Sequence, residues 1–174
     1  MTLVLILGGA RSGKSSLALR LAEERGAPVT FVATGEPGDE EMEARIDRHR
    51  RERPAEWTTI EEPRDLVHAI EQAPRAETLI VDCVSFWVAN VLDDVDDLED
   101  RTAAAARAAA ARSGLSVVVS NEVGLGVVPA TPLGRRYRDA LGRVNAIWAH
   151  AADQALLVVA GRALRLGPAA DVFP

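Results

Sequence analysis

The sequence predicts an α/β fold, a mostly parallel sheet with helices on both faces and a strand pair at the C-terminal end. Three observations predict it. Apolar runs of strand length recur along the 174 residues, at 3–7, 29–33, 78–82, 115–120 and 154–160. Stretches with helical spacing separate most of them, and such alternation builds a parallel sheet. The first run leads straight into a glycine-rich loop and a helix, the order a phosphate-binding unit requires.

Leu3-Val4-Leu5-Ile6-Leu7 is the first strand, an unbroken apolar run of the kind covered on both faces. Gly8-Gly9-Ala10-Arg11-Ser12-Gly13-Lys14-Ser15 follows and fits G-x-x-x-x-G-K-[ST], the phosphate-binding loop. The expected fold is therefore of the P-loop NTPase type, RecA-like, as one nucleotide-binding domain over residues 1–174. A helix covers about 14–25, with Leu17, Leu19, Leu21 and Ala22 on its apolar face, and Gly26 and Pro28 close it. Val29–Ala33 is a second strand, ended by Thr34-Gly35. After a Gly/Pro loop, a charged helix starts near Asp39, carries Met42, Ile46 and His49 on neighbouring turns, and stops at Pro54.

Residues 64–73 read as a short helix after Pro63, Thr78–Asp82 as a strand, and Ser85–Leu92 as a helix with Phe86, Trp87 and Val91 apolar. Asp93, Asp94, Asp96, Asp97, Glu99 and Asp100 form an acidic run. A solvated linker and helix start is its plainer reading, a metal cluster the alternative. The alanine- and arginine-rich 101–112 is a helix with a thin apolar face, capped by Gly114. Leu115–Ser120 is a strand, Asn121–Pro132 a loop, and 133–151 a long helix. Gln154–Ala160 and Arg162–Leu166 are strands bent at Gly161, and 167–174 is a loose tail. Trp87 and Trp148 are read as core residues.

Composition narrows the classes. The chain is 48% hydrophobic with a formal net charge of −6, so a general nucleic-acid surface is not expected. No apolar run approaches the ~20 residues of a membrane span. The opening Met1-Thr2-Leu3 lacks a basic region, so the first apolar run is a core strand and not a signal peptide. One cysteine, Cys83, excludes an intrachain disulfide framework. Together these place the expected protein in the cytoplasm.

The loop carries a definite chemistry. Gly8, Gly9, Ala10, Arg11, Ser12 and Gly13 let backbone N–H groups turn inward on phosphate oxygens, and the helix adds its positive end. Lys14 reaches the β- and γ-phosphates, and the Ser15 hydroxyl ligates Mg²⁺. Lys14 is the one lysine in a chain whose other basic side chains are arginines, present where a compact ammonium is wanted. Asp82 closes an apolar strand, where a second Mg²⁺-coordinating carboxylate is expected, although strand-ending aspartates are often only turn residues. Thr34 and Glu61 complete the expected nucleotide-binding set.

Arg45–Pro54 holds five arginines and two acids around His49, a local balance of +3 in an acidic chain. Neighbouring cations favour a neutral imidazole, which can be a nucleophile, and the arginines can bind phosphates. From residue types alone, however, a solvated basic face with an incidental histidine is preferred. His68 and His150 read as structural, and Cys83 as a buried inert thiol. Asn121–Pro129 follows a strand, and its Asn121 and Glu122 are as easily substrate or Mg²⁺ contacts as parts of a plain loop.

These segments occur in one order: GGARSGKS at 8–15, R-I-x-x-H-R-x-x-R-P at 45–54 with Trp57, D-C-x-x-x-W-x-x-N at 82–90, NEVGLGVVP at 121–129 and Y-R-D-x-x-G-x-x-N at 137–145. So ordered, they resemble the bifunctional adenosylcobinamide kinase/adenosylcobinamide-phosphate guanylyltransferase family of cobalamin biosynthesis, over nearly the whole chain. The resemblance implies phosphorylation of adenosylcobinamide by ATP or GTP, then transfer of GMP from GTP to adenosylcobinamide phosphate. It implies a covalent GMP on His49, which overturns the preference for a solvated helix. Where some members have a second histidine before the nucleophile, this chain has Arg48. The resemblance also implies a homotrimer. The rivals are a P-loop small-molecule kinase without nucleotidyl transfer and a non-catalytic GTP-sensing module. The two reactions need different phosphates exposed, so movement of the 39–54 helix or two nucleotide poses is expected.

Overall fold

The elements follow in the order β1 (Thr2–Gly8), α1 (Lys14–Arg25), β2 (Val29–Ala33), α2 (Glu40–Arg51), β3 (Thr58–Glu61), α3 (Leu66–Gln72), β4 (Thr78–Asp82), α4 (Val84–Val91), α5 (Leu98–Ala110), β5 (Leu115–Asn121), α6 (Pro132–Ala151), β6 (Gln154–Val159) and β7 (Arg162–Leu166), with a 3₁₀ turn at Ala169–Val172. They come from a computed structural model that describes residues 2–36, 38, 40–51, 53–93 and 97–172; within α2 the side chains of 41, 42, 44, 45, 47 and 49 are outside that description, as is that of 172. No helix among the described residues is long and apolar enough to cross a membrane.

The strands form one seven-stranded sheet in the order β3-β2-β4-β5-β1-β6-β7. All neighbours are parallel except β6 and β7, which are antiparallel. β1 is central, with β5 on one side and β6 on the other. The chain leaves β1 toward β2 on one side and leaves β5 toward β6 on the other. The strand order therefore reverses at the β1/β5 boundary, the kind of switch point at whose carboxyl ends ligands bind in parallel α/β sheets.

Period-two alternation divides the core between the two faces. Leu3, Leu5 and Leu7 of β1 pack with Val32, Leu79, Val81 and Val118 under α3, α4, α5 and α6. Val4 and Ile6 join Val29, Phe31, Ile80, Val117 and Val119 under α1. Trp87 and Trp148 are fully buried in the first layer, so both are core residues.

Several expectations are corrected. Thr58–Glu61 forms a parallel edge strand beside β2, although its polar Thr-Thr-Ile-Glu run gives no apolar signal. Gly114 does not cap α5, which ends at Ala110 with Ala111 as its cap. Gly114 instead fits against the β4 entry, where a Cβ would stand 2.1 Å from the Glu77 carbonyl oxygen. In α1 the expected Ala22, together with Ala18, is buried in the second layer, and Leu17, Leu19 and Leu21 pack half-buried against it. Asn121 belongs to β5 and Pro132 opens α6, which shortens the intervening loop at both ends. The tail is a 3₁₀ turn as far as Val172. The expectations for Pro37, Asp39, Asp94 and Asp96, and for the Met42 side chain, lie outside the described residues.

Candidate active site

The phosphate loop is shaped by backbone constraints. Gly8 ends β1 where a Cβ would lie 2.4 Å from the Val158 carbonyl oxygen and 2.7 Å from Ser12 Oγ. Arg11 (φ 54°) and Gly13 (φ 98°) take left-handed conformations, and Gly13 caps the start of α1. Gly13 has no side chain to satisfy the helix's first N–H groups, and the first turn of α1 has no acidic residue. A helix start so arranged attracts an anion. The β6–β7 turn braces the loop, with the Gly161 N–H donating to the Ser12 carbonyl at 2.8 Å. Lys14 is buried and its Nζ donates to the Gly9 carbonyl at 2.7 Å. Ser12 Oγ is buried without a hydrogen-bond partner among the described residues. Gly9, Ala10 and Arg11 are exposed along the loop, and Ser15 is half-buried in the first turn of α1.

Asp82 stands at the carboxyl end of β4, half-exposed. Register places it opposite Val119 of β5, which pairs with Ile6, two residues before Gly8. In the other direction it pairs with Ala33, and Ala33 with Glu61. Glu61, Asp82 and the start of the phosphate loop thus share one edge of the sheet, which no linear spacing reveals.

Cys83 is buried and its thiol is pushed up to about 12, chiefly by burial and then by the charge of Asp82, so it is held as an inert thiol. The Lys14 ammonium acts on the same thiol in the opposite sense, which puts it within electrostatic reach of the β4 end. Thr34 is fully buried, and its hydroxyl both donates to the Cys83 carbonyl (2.7 Å) and accepts from the Cys83 N–H (2.9 Å). Its hydroxyl is occupied in holding the chain after Asp82, so contact with a nucleotide would have to come from another part of the residue.

α2 meets this edge through Arg50. His49 lies on α2, and its side chain is outside the described residues. Arg50 of α2 forms an ion pair with Glu61, so the helix is fastened to β3, the strand the sequence hid. Arg53, just beyond α2, stacks on Phe31 with its Cζ 3.8 Å from the ring centroid.

The remaining sequence signals brace this edge. The Trp87 Nε1 donates to the Arg64 carbonyl at 2.9 Å, and Asn90 Nδ2 to the carbonyls of Thr34 (2.8 Å) and Pro63 (3.1 Å). Tyr137 donates from its hydroxyl to the Ser85 carbonyl at 3.0 Å. Asn145 accepts from Ser120 Oγ at 2.6 Å and donates to the Asn121 carbonyl at 3.0 Å. The Glu122 N–H donates to the Gly8 carbonyl at 3.0 Å, placing the 122–131 loop beside the phosphate loop.

Asp93 and Glu99 pair with Arg136 and Arg143, and Glu99 and Asp100 sit in the first turn of α5, as a solvated helix start would have them. His68 is exposed in α3 against Gln72, and His150 is exposed in the last turn of α6.

The cobinamide kinase/cobinamide phosphate guanyltransferase family model, CobU, matches residues 4–166. The bifunctional adenosylcobalamin biosynthesis protein CobP of Pseudomonas aeruginosa is 44% identical over 160 residues, covering 90% of this chain and 92% of that protein. The CobU proteins of Escherichia coli and Salmonella typhimurium are 36% and 38% identical, each covering 94% of this chain and 99% of the relative. Among solved structures, the flagellar accessory protein FlaH of Methanocaldococcus jannaschii superposes with a TM-score of 0.55 at 17% identity, covering 95% of this chain and 77% of that one. The RadB recombinase does so with a TM-score of 0.50 at 16% identity, covering 90% and 73%. These two share the P-loop NTPase fold, RecA-like in RadB, and at that identity only the fold. Matched along nearly its whole length, and with its phosphate loop at the reversal of a parallel sheet, the chain belongs to the cobinamide kinase/cobinamide phosphate guanyltransferase family.

Proposed function

We propose that this protein phosphorylates adenosylcobinamide and then converts the product to adenosylcobinamide-GDP. The observation that carries this is the family match over residues 4–166, on a chain whose phosphate loop is closed and holds a buried Lys14. In the kinase step the aminopropanol hydroxyl attacks the γ-phosphorus of ATP or GTP and the nucleoside diphosphate leaves. In the transferase step an imidazole nitrogen of His49 attacks the α-phosphorus of GTP, and pyrophosphate leaves. The phosphate oxygen of adenosylcobinamide phosphate then attacks the phosphoramidate, forming the GDP ester and freeing His49.

Residues 8–15 and Asp82 serve the phosphates in both steps, with Lys14 the cation nearest the transferred charge. Glu61 acts by holding Arg50, and Thr34 by holding the chain after Asp82. No group of three His, Cys, Asp or Glu side chains among the described residues could hold a metal alone. Mg²⁺ suits the donors present, because it takes few protein oxygens and completes its shell with phosphates and water. Ser15 and Asp82 would hold it, and when bound it neutralises charge on the phosphate oxygens. α2 carries His49, and its movement, or a second nucleotide pose, lets one loop serve both reactions.

One domain, a cytoplasmic location and a homo-oligomer, a trimer by family resemblance, belong to the same proposal. The single sheet supports the first, and the family's biosynthetic activity the second. Exposed Leu125, Val127, Val128 and Leu164 support the third.

The test is incubation with α-³²P GTP and Mg²⁺. The expected label is lost in acid, survives base and is absent from His49→Ala, which keeps kinase activity. Lys14→Met loses both activities. A His49→Ala protein that still forms adenosylcobinamide-GDP at the wild-type rate overturns the assignment. No label on a protein that binds GTP leaves a kinase or a GTP sensor.

A further inference from the structure

Arg53 is placed unlike Arg48, Arg50 and Arg51 of its segment, which are exposed. Its guanidinium lies over the ring of Phe31 of β2, so the sheet holds it although it follows shortly after α2. Its Nε is buried and has no acceptor among the described residues. Asp82 and Glu61 act on it favourably and Arg50 unfavourably, while burial opposes its charge. Neither carboxylate comes within ion-pair distance of it among the described residues. The chain thus fixes a half-buried cation on β2, within electrostatic reach of the two acidic residues of the active edge, and leaves a donor of its fork without an acceptor among the described residues.

We propose that Arg53 is a phosphate-binding residue of the nucleotide site, holding the triphosphate from the α2 side while the phosphate loop holds it from the β1 side. A guanidinium fork matches a phosphate in shape and charge, and stacking fixes its plane before the ligand arrives. Position selects the ligand: Asp82, whose charge acts on Arg53, shares the edge with residues 8–15. Arg53 follows His49 by four residues but is anchored to β2 rather than carried on α2. It is therefore suited to retain the β- and γ-phosphates, which leave together as pyrophosphate when His49 takes the α-phosphate. This rests on the transferase reading above for the identity of the leaving group.

The experiment measures binding of magnesium pyrophosphate and of guanosine, separately, by calorimetry. Arg53→Met keeps an apolar stem over Phe31 and removes the charged fork; pyrophosphate affinity is expected to fall about tenfold, with guanosine affinity unchanged. Arg53→Lys retains part of the affinity. Phe31→Leu keeps the guanidinium but removes its platform, and is expected to weaken pyrophosphate about threefold or more. A residue that merely packs would move the melting temperature and not the pyrophosphate-to-guanosine ratio. Wild-type pyrophosphate affinity in Arg53→Met overturns the proposal; if that variant does not fold, wild-type affinity in Phe31→Leu does so. Wild-type labelling by α-³²P GTP is read separately, because pyrophosphate binding through Arg53 survives even if GMP is never transferred.

Discussion

The side-chain amide of Asn90 donates to the carbonyl of Thr34 at 2.8 Å, tying α4 to the residue that follows β2. The same Nδ2 reaches the Pro63 carbonyl at 3.1 Å, in the loop after β3. Thr34 in turn grips Cys83, next to Asp82. One amide therefore fastens the carboxyl end of β2 to those of β3 and β4, the two strands that present Glu61 and Asp82 on either side of it.

Asn90→Ala should leave two part-buried carbonyls without this donor. A stability loss of about 1–3 kcal/mol is expected. GTP binding in the presence of Mg²⁺ should weaken more than binding in EDTA, because Asp82 loses its support. Equal losses in the two buffers would refute the link to Asp82.

Gly114→Ala tests a contact hidden from sequence. The added methyl would stand 2.1 Å from the Glu77 carbonyl oxygen and 2.7 Å from that of Ala76, and both are backbone atoms. Moving them disturbs the entry to β4, so destabilisation of about 1–3 kcal/mol or more is expected in urea unfolding. A helix-capping role would instead predict a smaller cost, confined to α5.

Alkaline pH should weaken the fold. The Cys83 thiol is raised from 9.0 to about 12 by burial and then by Asp82, and the Tyr137 phenol from 10.0 to about 12 by burial and then by Cys83. The unfolded chain releases these protons first. Their contribution is thus complete below about pH 9 and lost progressively up to about pH 12. For the fully buried thiol the slope is ~1.4 kcal/mol per pH unit. Cys83→Ala should flatten the stability profile above pH 9 by one proton's worth, measured as urea midpoints against pH. Parallel profiles for the two proteins would contradict the burial argument.

Much of the fold and part of the site were legible in the chain. Leu3–Leu7, Val29–Ala33, Thr78–Asp82 and Leu115–Ser120 announce themselves as strands because each must bury both faces, and continuous apolar character is local information. Gly8, Gly13, Lys14 and Ser15 are equally legible, since their conformational and electrostatic requirements lie within one turn. The meeting of β2 with β3 was not legible, because Thr58–Glu61 owes its extended form to hydrogen bonds from a neighbouring strand rather than to its own side chains. Nor could spacing show that Gly114 rests on Glu77, that Trp87, Asn90, Tyr137 and Asn145 are braces, or that Arg53 lies on Phe31. Each depends on a partner brought close only when the sheet assembles. The sequence by itself determined which segments become strands and helices and where the phosphate loop lies. Tertiary structure decided which polar groups meet at the sheet's carboxyl edge, because pairing order and register, not linear distance, set those neighbours.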